Sequence, residues 1–245
     1  MSRLTCYRCF WPQAHCWCDR IKPIATKTRF VFLMHPKEYR YEKAGTGRLT
    51  HLSLPNSEII VGVEFDGNQR LAELMADDAH RAVLLYPGIE AMNLSQPDAL
   101  NRTELAKPLV VLVLDATWSC ARKMLKLSPR LQQLPRVMFS SSSPSRFVIK
   151  AQPVAGCLST LESVHEVLSA LASAGVEPYE KSDQLLGLFQ AMQQFQIECA
   201  KDPNRGGYRR ADYKTPGERK PFSGQSGRRR ASYFKVSETP PADGD

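Results

Sequence analysis

The hydrophobic pattern is sharpest between Leu109 and Leu125. Six consecutive apolar residues, Leu109 to Leu114, end on a single carboxylate, Asp115. A run this short and this rich in valine predicts a strand buried on both faces, as in a parallel sheet. Thr117, Trp118 and Ser119 follow, and then a cationic, helix-favouring segment from Arg122 to Lys126 that Thr117 or Ser119 can cap. Open α/β sheets hold ligands just past the carboxyl ends of their central strands, which makes this cluster the candidate active site.

The same reading extends along the chain. Arg29 to His35 predicts a first strand stopped by Pro36, followed by a long cation-rich polar loop. Thr46-Gly47-Arg48-Leu49 reads as a loop-to-helix junction with Thr46 as N-cap, which serves either as an ordinary cap or as an anion site. Ile59 to Val63 predicts a second strand, and Leu71, Leu74 and Met75 a short amphipathic helix. Val83 to Tyr86 predicts a third strand, stopped by Pro87 and Gly88, where Gly88 permits a close backbone approach. Ile89 to Lys107 reads as a polar connection, Pro129 to Leu134 as a connector and Val137 to Ser140 as a short strand before a hydroxyl-rich loop. Ser159 and Glu162 have capping-box spacing, which favours a capping role for Glu162 over acid catalysis. Leu161, Val164, Leu168 and Leu171 repeat at helical spacing, and Ser182 to Cys199 predicts a second long helix. The fold class expected is α/β: a mostly parallel sheet flanked by helices.

Cys6, Cys9, Cys16 and Cys18 place four thiols within thirteen residues. Four thiolates close a tetrahedral shell around zinc and leave no open position, which describes a structural site; His15 is a possible substitute ligand. Tyr7, Phe10, Trp11 and Trp17 cover so small a knuckle or stack on bases. His35, His51, His80 and His165 show no ligand spacing and read as surface or packing residues, and Cys120 and Cys157 lack an evident partner base.

Hydrophobic residues make up 42% and charged residues 24% of the 245, which fits a globular chain. No apolar run reaches the about 20 residues of a membrane span, and no apolar signal segment opens the chain, so a cytoplasmic address is expected. The net charge of +8 is uneven: 11 Lys/Arg against 6 Asp/Glu lie from Lys201 onward, leaving the body near neutral. Three segments are therefore expected: a zinc knuckle over 1–22, a catalytic body over 23–200, and a basic tail over 201–245, disordered on its own and suited to an anionic partner such as RNA.

Asp115-Ala116-Thr117-Trp118 matches the D-x-T-W signature of DTW-domain proteins. The cysteine knuckle, Thr46 to Leu49, Tyr86 to Gly88, and Ser159 to Glu162 occur in the same order, so the chain resembles that family over about residues 4–198, and in particular its bacterial tRNA-uridine aminocarboxypropyltransferases. Gly45 stands where Asn is expected before T-G-R-L, and the basic tail is an addition. The resemblance implies transfer of the 3-amino-3-carboxypropyl group of S-adenosylmethionine to N3 of a tRNA uridine, releasing methylthioadenosine. It also implies similarity to SPOUT-type enzymes, whose cofactor loops form a knot. On that reading Asp115 is the general base that removes the N3 imide proton, helped by burial that raises its pKa. Thr46, Gly47, Arg48, Pro87, Gly88, Leu112, Thr117 and Trp118 are the candidate residues around the donor. Trp118 stacks on uracil or adenine, faces the sulfonium, or packs beneath the loop. Arg48, Lys150 or the amides near Thr46 and Gly88 are candidates for the donor's carboxylate. An RNA methyltransferase on the same fold and a non-enzymatic RNA-binding module remain the alternatives.

Overall fold

The computed structural model describes residues 4–41, 45–96, 107–141, 143–149 and 157–201. Among these residues six strands form one sheet: β1 (Arg29–Met34), β2 (Ser57–Val61), β3 (Arg81–Leu85), β4 (Met92–Asn93), β5 (Leu109–Asp115) and β6 (Arg136–Met138). Their order is β2-β1-β5-β3-β6-β4, and every pairing is parallel. The apolar run is thus a central strand, flanked by β1 and β3, with Met34 opposite Asp115.

Alternation along β5 builds two cores. Val111 and Val113 join Phe30 and Phe32 beneath α2 (Thr46–Ser53), α6 (Thr160–Ser173) and α7 (Ser182–Lys201). Val110 and Leu112 join Val31, Leu33 and Leu84 beneath α3 (Gln69–Ala76), α4 (Trp118–Lys126) and α5 (Pro129–Gln132). Each fully buried valine or leucine contributes about 1.5–3 kcal/mol, so a strand covered on both sides is the most strongly fixed element of the fold. Asp115 has the parity of Val111 and Val113, which turns it toward the α2 and α6 layer.

The helix boundaries reflect local chemistry. Thr117 caps α4 by accepting from the Cys120 amide at 3.4 Å. Ser159 and Glu162 form the expected capping box on α6. Gly175, at φ 73°, ends α6: its amide bonds to Ala172 O and that of Val176 to Leu171 O, a Schellman turn that needs the left-handed glycine. Two expectations fail. Pro36 does not open a polar loop but begins a helix, α1 (Pro36–Tyr41), because its missing N–H costs nothing in a first turn. Thr46 is the first helical residue of α2 rather than its cap; Gly45 occupies the cap position without a side chain. The connector after α4 contains the short helix α5, which starts with Pro129, and the polar connection contributes β4 at the sheet edge.

Residues 4–21 form a small layer with two 3-10 turns, Gln13–His15 and Cys18–Arg20. Its buried Trp11 and Trp17 pack on Phe195 of α7, with ring centroids 5.7 and 5.8 Å away. Glu177, 4% exposed, links the α6–α7 turn to the start of β1 by accepting from the amides of Lys27 and Thr28. The basic tail, Lys150 and the start of the Gly156–Glu162 motif lie outside the described residues. No helix among those described is long and apolar enough to cross a membrane.

Candidate active site and thiolate cluster

Asp115 ends the central strand and is 7% exposed. Thr160, the first residue of α6, donates its hydroxyl to Asp115 Oδ1 at 2.5 Å. The other carboxylate oxygen faces the first turn of α2, where Gly47 makes room for it: a Cβ there would overlap the carboxylate. Unpaired amides and the dipole of a helix N-terminus favour a negative charge, so α2 presents the end suited to this side chain. The backbone of His35 donates to Asp115 O at 3.0 Å. Burial, and then Lys37 and Lys123, lower the pKa of the His35 ring, and its Nδ1 accepts from the Lys37 amide. Two cations, Lys37 and Lys123, thus stand close enough to act on His35 beside this strand end.

A pocket opens over the ends of β3, β5 and β6, between α4 and α6. Its empty space, with the mouth and the open solvent there included, is about 760 Å³. Tyr86, Pro87 and Trp118 line one side, with the two aromatic rings tilted at 6.2 Å, and Phe139, Thr160 and Ser163 line the other. Asp115 is not among the lining residues; the pocket meets it through Thr160.

The remaining sequence candidates divide by location. Pro87 and Trp118 line the pocket, and Gly88 adjoins it beside Arg136, whose Nη1 would stand 3.4 Å from a Cβ at that glycine. Thr117 serves as the α4 cap. Leu112 is fully buried in the α3–α4 core. Thr46 is buried, and its carbonyl accepts from Thr50 Oγ1. Arg48 is 5% exposed, stacked 3.7 Å from the Phe10 ring and 4.5 Å from that of Tyr39, with Nη2 donating to Tyr39 O. Phe10 adopts a φ of 61°, an unfavourable value for a bulky residue, held by that stack. Glu162 accepts from Ser145 Oγ and the Arg146 amide besides Ser159, and so pins the 143–149 segment to α6.

Sequence reasoning does not single out Thr160, Ser163 or Arg136. Thr160 lies inside the S-T-L-E motif, so a signal exists, but its bond to Asp115 spans 45 residues. Arg136 lies 5.7 Å from the Tyr86 ring and reaches this rim only because Leu84 of β3 pairs with it in the sheet.

The Sγ atoms of Cys6, Cys9, Cys16 and Cys18 all lie within 4.8 Å of one another, with Cys6–Cys18 and Cys9–Cys16 at 3.7 Å. Zinc–sulfur bonds of about 2.3 Å in a tetrahedron place sulfurs about 3.8 Å apart, so the four thiols fit this ion. The amides of Cys9 and Arg8 lower the Cys6 thiol to about 6, whereas burial and the neighbouring thiols push Cys18 up to about 12. Four such groups do not all ionise together without a cation among them, which is what a zinc ion supplies. His15 is exposed and stacks on Phe195 instead.

An all-parallel sheet with a pocket over the carboxyl ends of its central strands defines an α/β protein of the open-sheet class, here with an amino-terminal four-thiol knuckle packed on it. Within that class the DTW domain matches residues 3–197, and the chain belongs to the DTW domain family. It is 31% identical over 176 residues to tRNA-uridine aminocarboxypropyltransferase 2 of Drosophila melanogaster, covering 70% of this chain and 68% of that protein. Identity to the Mus musculus protein of the same name is 29% over 202 residues, 80% of this chain and 64% of the relative. Identity to tRNA-uridine aminocarboxypropyltransferase A of Arabidopsis thaliana is 27% over 222 residues, 81% and 83% respectively. The chain thus spans about two thirds of the animal proteins' length, and these named relatives are animal and plant rather than bacterial. No solved structure matches.

Proposed function

We propose that this chain transfers the 3-amino-3-carboxypropyl group of S-adenosylmethionine to N3 of a uridine in tRNA and releases methylthioadenosine. The family match and the names of the relatives support the reaction. The observation that carries it in this molecule is the buried Asp115 carboxylate, hydrogen-bonded to a hydroxyl that lines a pocket over the carboxyl ends of the central strands. Uracil N3 bears an imide proton, and attack on carbon requires its removal; Asp115 is the acceptor. Trp118 and Tyr86 supply aromatic surface for a nucleoside or the sulfonium, with Pro87, Gly88 and Thr117 at the rim. Arg136, beside Gly88, suits the donor's carboxylate. Thr46, Gly47, Arg48 and Leu112 act behind this surface by fixing α2 and β5 around Asp115. Orientation dominates the chemistry, because the sulfonium carries three carbons and the pocket must present the one belonging to the aminocarboxypropyl group.

Cys6, Cys9, Cys16 and Cys18 hold a structural zinc ion, which fixes the knuckle and takes no part in the transfer. The parallel sheet is SPOUT-like and the chain is knotted; an experimental chain trace from β6 to α6 tests this. Lys37, Lys123 and the basic tail meet tRNA phosphates in the cytoplasm. Nucleoside mass spectrometry of tRNA incubated with the protein and S-adenosylmethionine tests the reaction. A heavier uridine accompanied by methylthioadenosine is expected. Adenosylhomocysteine would assign a methyltransferase instead, and RNA binding with neither product would assign a binding module.

A further inference from the structure

We infer that Thr160 is a catalytic residue: its hydroxyl carries the uracil N3 proton to Asp115 and selects uridine by accepting that proton. The inference rests on the transferase reading above and deepens it.

Both oxygens of Asp115 are covered. Oδ1 receives the Thr160 hydroxyl at 2.5 Å, and Oδ2 faces the first turn of α2 at Gly47. The carboxylate is 7% exposed and does not line the pocket, whereas Thr160 does both things needed: it lines the pocket and touches the carboxylate. A hydroxyl owns one hydrogen and two lone pairs. The hydrogen of Thr160 is committed to Asp115, so the face that Thr160 turns to the pocket is an acceptor. An acceptor at that point demands an N–H from the ligand. Uracil offers one at N3; cytosine has a lone pair there, and facing two acceptors would leave both unpaired in a buried site, a costly arrangement.

The step balances. The N3 proton passes to Thr160 Oγ1 as the Thr160 hydroxyl proton passes to Asp115 Oδ1. The N3 electron pair forms the new bond to the donor carbon, and the carbon–sulfur pair leaves on sulfur as neutral methylthioadenosine. Asp115 ends protonated and releases the proton to water after product departure. Position one of α6 is set by the Ser159–Glu162 capping box, which holds the hydroxyl in register with β5.

The test uses the full chain, S-adenosylmethionine and a tRNA transcript under single turnover, following methylthioadenosine. Thr160→Val keeps the shape and removes the hydroxyl, and Thr160→Ser keeps the hydroxyl. The expected result is a loss of about 100-fold or more in transfer for T160V, the usual scale of acid–base assistance, with S-adenosylmethionine affinity unchanged and the chain still folded at the assay temperature, although its melting temperature falls because Asp115 loses a hydrogen-bond donor. The residual T160V rate rises in proportion to hydroxide, and T160S restores transfer to within about threefold of wild type, as retention of the acid–base group requires. In wild type a proton inventory in H2O/D2O mixtures is curved, as two protons in flight require; this reading needs no variant to fold. A T160V rate equal to wild type, a T160S as slow as T160V, or a linear inventory overturns the relay while leaving the transferase reading intact. A wild type that forms no methylthioadenosine overturns that reading, and the relay with it.

Discussion

Gly47 and Asp115 occupy each other's only available space: a Cβ on Gly47 would lie 2.9 Å from Asp115 Oδ1 and closer still to its Oδ2. The contact joins the first turn of α2 to the tip of the central strand, and neither side has room to yield, because β5 is paired on both edges and Leu49 and Thr50 of α2 are buried. Gly47→Ala is therefore expected to destabilise by about 1–3 kcal/mol, the range for overpacking, and to lower transfer by more than its stability loss explains, because the carboxylate is displaced from Thr160. Gly187→Ala is the control. Gly187 lies inside α7 with nothing within 4 Å of the added carbon, and alanine there should stabilise by about 0.5–1 kcal/mol. Chemical denaturation of both variants beside wild type checks the opposite signs.

Arg48 shows a similar closeness of fit. Its guanidinium lies 3.7 Å from the Phe10 ring and 4.5 Å from that of Tyr39, so it bridges the knuckle, α1 and α2. Burial lowers its pKa from the usual arginine value, opposed by the Tyr39 side chain and by the Asp115 charge. Lysine has no flat face to stack and cannot replace both interactions. Arg48→Lys should cost about 1–3 kcal/mol in a denaturant melt while leaving donor affinity nearly unchanged; a specific loss of S-adenosylmethionine binding with full stability would assign Arg48 to the donor instead.

Much of the frame is legible in the chain itself. An unbroken valine-rich run predicts a central parallel strand because only such a strand is covered on both faces, and β5 is one. The caps Thr117 and Ser159 are readable because capping depends on residues three apart. Sequence reasoning fails where the deciding partner is distant or the local signal has two meanings. Pro36 is equally suited to stopping a strand and starting a helix, and only the packing of the next few residues chooses. Arg48 reads as an anion-binding cation because its two aromatic partners, at positions 10 and 39, belong to other elements. Asp115 is placed at the strand tip by its apolar run alone, but nothing local says that Thr160 stands between it and the pocket.

Metal removal should act on the body as well as on the knuckle. Trp11 and Trp17 lie 5.3 Å apart and both touch Phe195 of α7. Loss of the ion that ties Cys6, Cys9, Cys16 and Cys18 together would free this layer. Elemental analysis is expected to find one zinc per chain, and chelation to lower the melting temperature with a shift in tryptophan emission. Cys6→Ser with Cys9→Ser should abolish binding, whereas Cys120→Ser should leave the stoichiometry at one. A metal-free wild type with an unaltered melt would refute the site.

Stability should fall on mild acidification, through two half-buried histidines. His165 Nδ1 lies 3.1 Å from the Tyr179 hydroxyl, which packs against α6. Burial, and then Arg146, lower its pKa from 6.5, partly offset by a bond at Ser182 and by the Glu162 charge. His51, beside Ser57, is lowered by burial and Arg48. With a depressed folded-state pKa, the unfolded chain binds protons first as pH drops, so the contribution is complete above about 6.5 and is lost as pH falls from there toward the folded value. Denaturant midpoints should decline as pH is lowered from neutral through that value, and His165→Gln should flatten part of that slope. An unchanged slope would show that His165 titrates as freely in the folded chain as in the unfolded one.

The basic tail is the part whose contribution is least tied to the fold, since the family match ends at residue 197. Deleting residues 206–245 removes nine Lys/Arg and five Asp/Glu, and so takes away four of the eight net positive charges while leaving the pocket, the carboxylate and the thiols in place. Each phosphate that the shortened chain no longer neutralises should reduce the slope of log affinity against log salt by about 0.7–0.9, and a tail that engages several phosphates would shift it by a few such steps. The expected outcome is weaker tRNA binding, a flatter salt dependence, and unchanged turnover once tRNA is saturating, because the groups proposed to react, Asp115 and Thr160 beside the pocket, lie within the described body. Fluorescence anisotropy with labelled tRNA across a salt series reads the slope. Identical slopes for the full and shortened chains would place every phosphate contact on the body, at surfaces such as that of Lys37 and Lys123, and make the tail a spectator in binding.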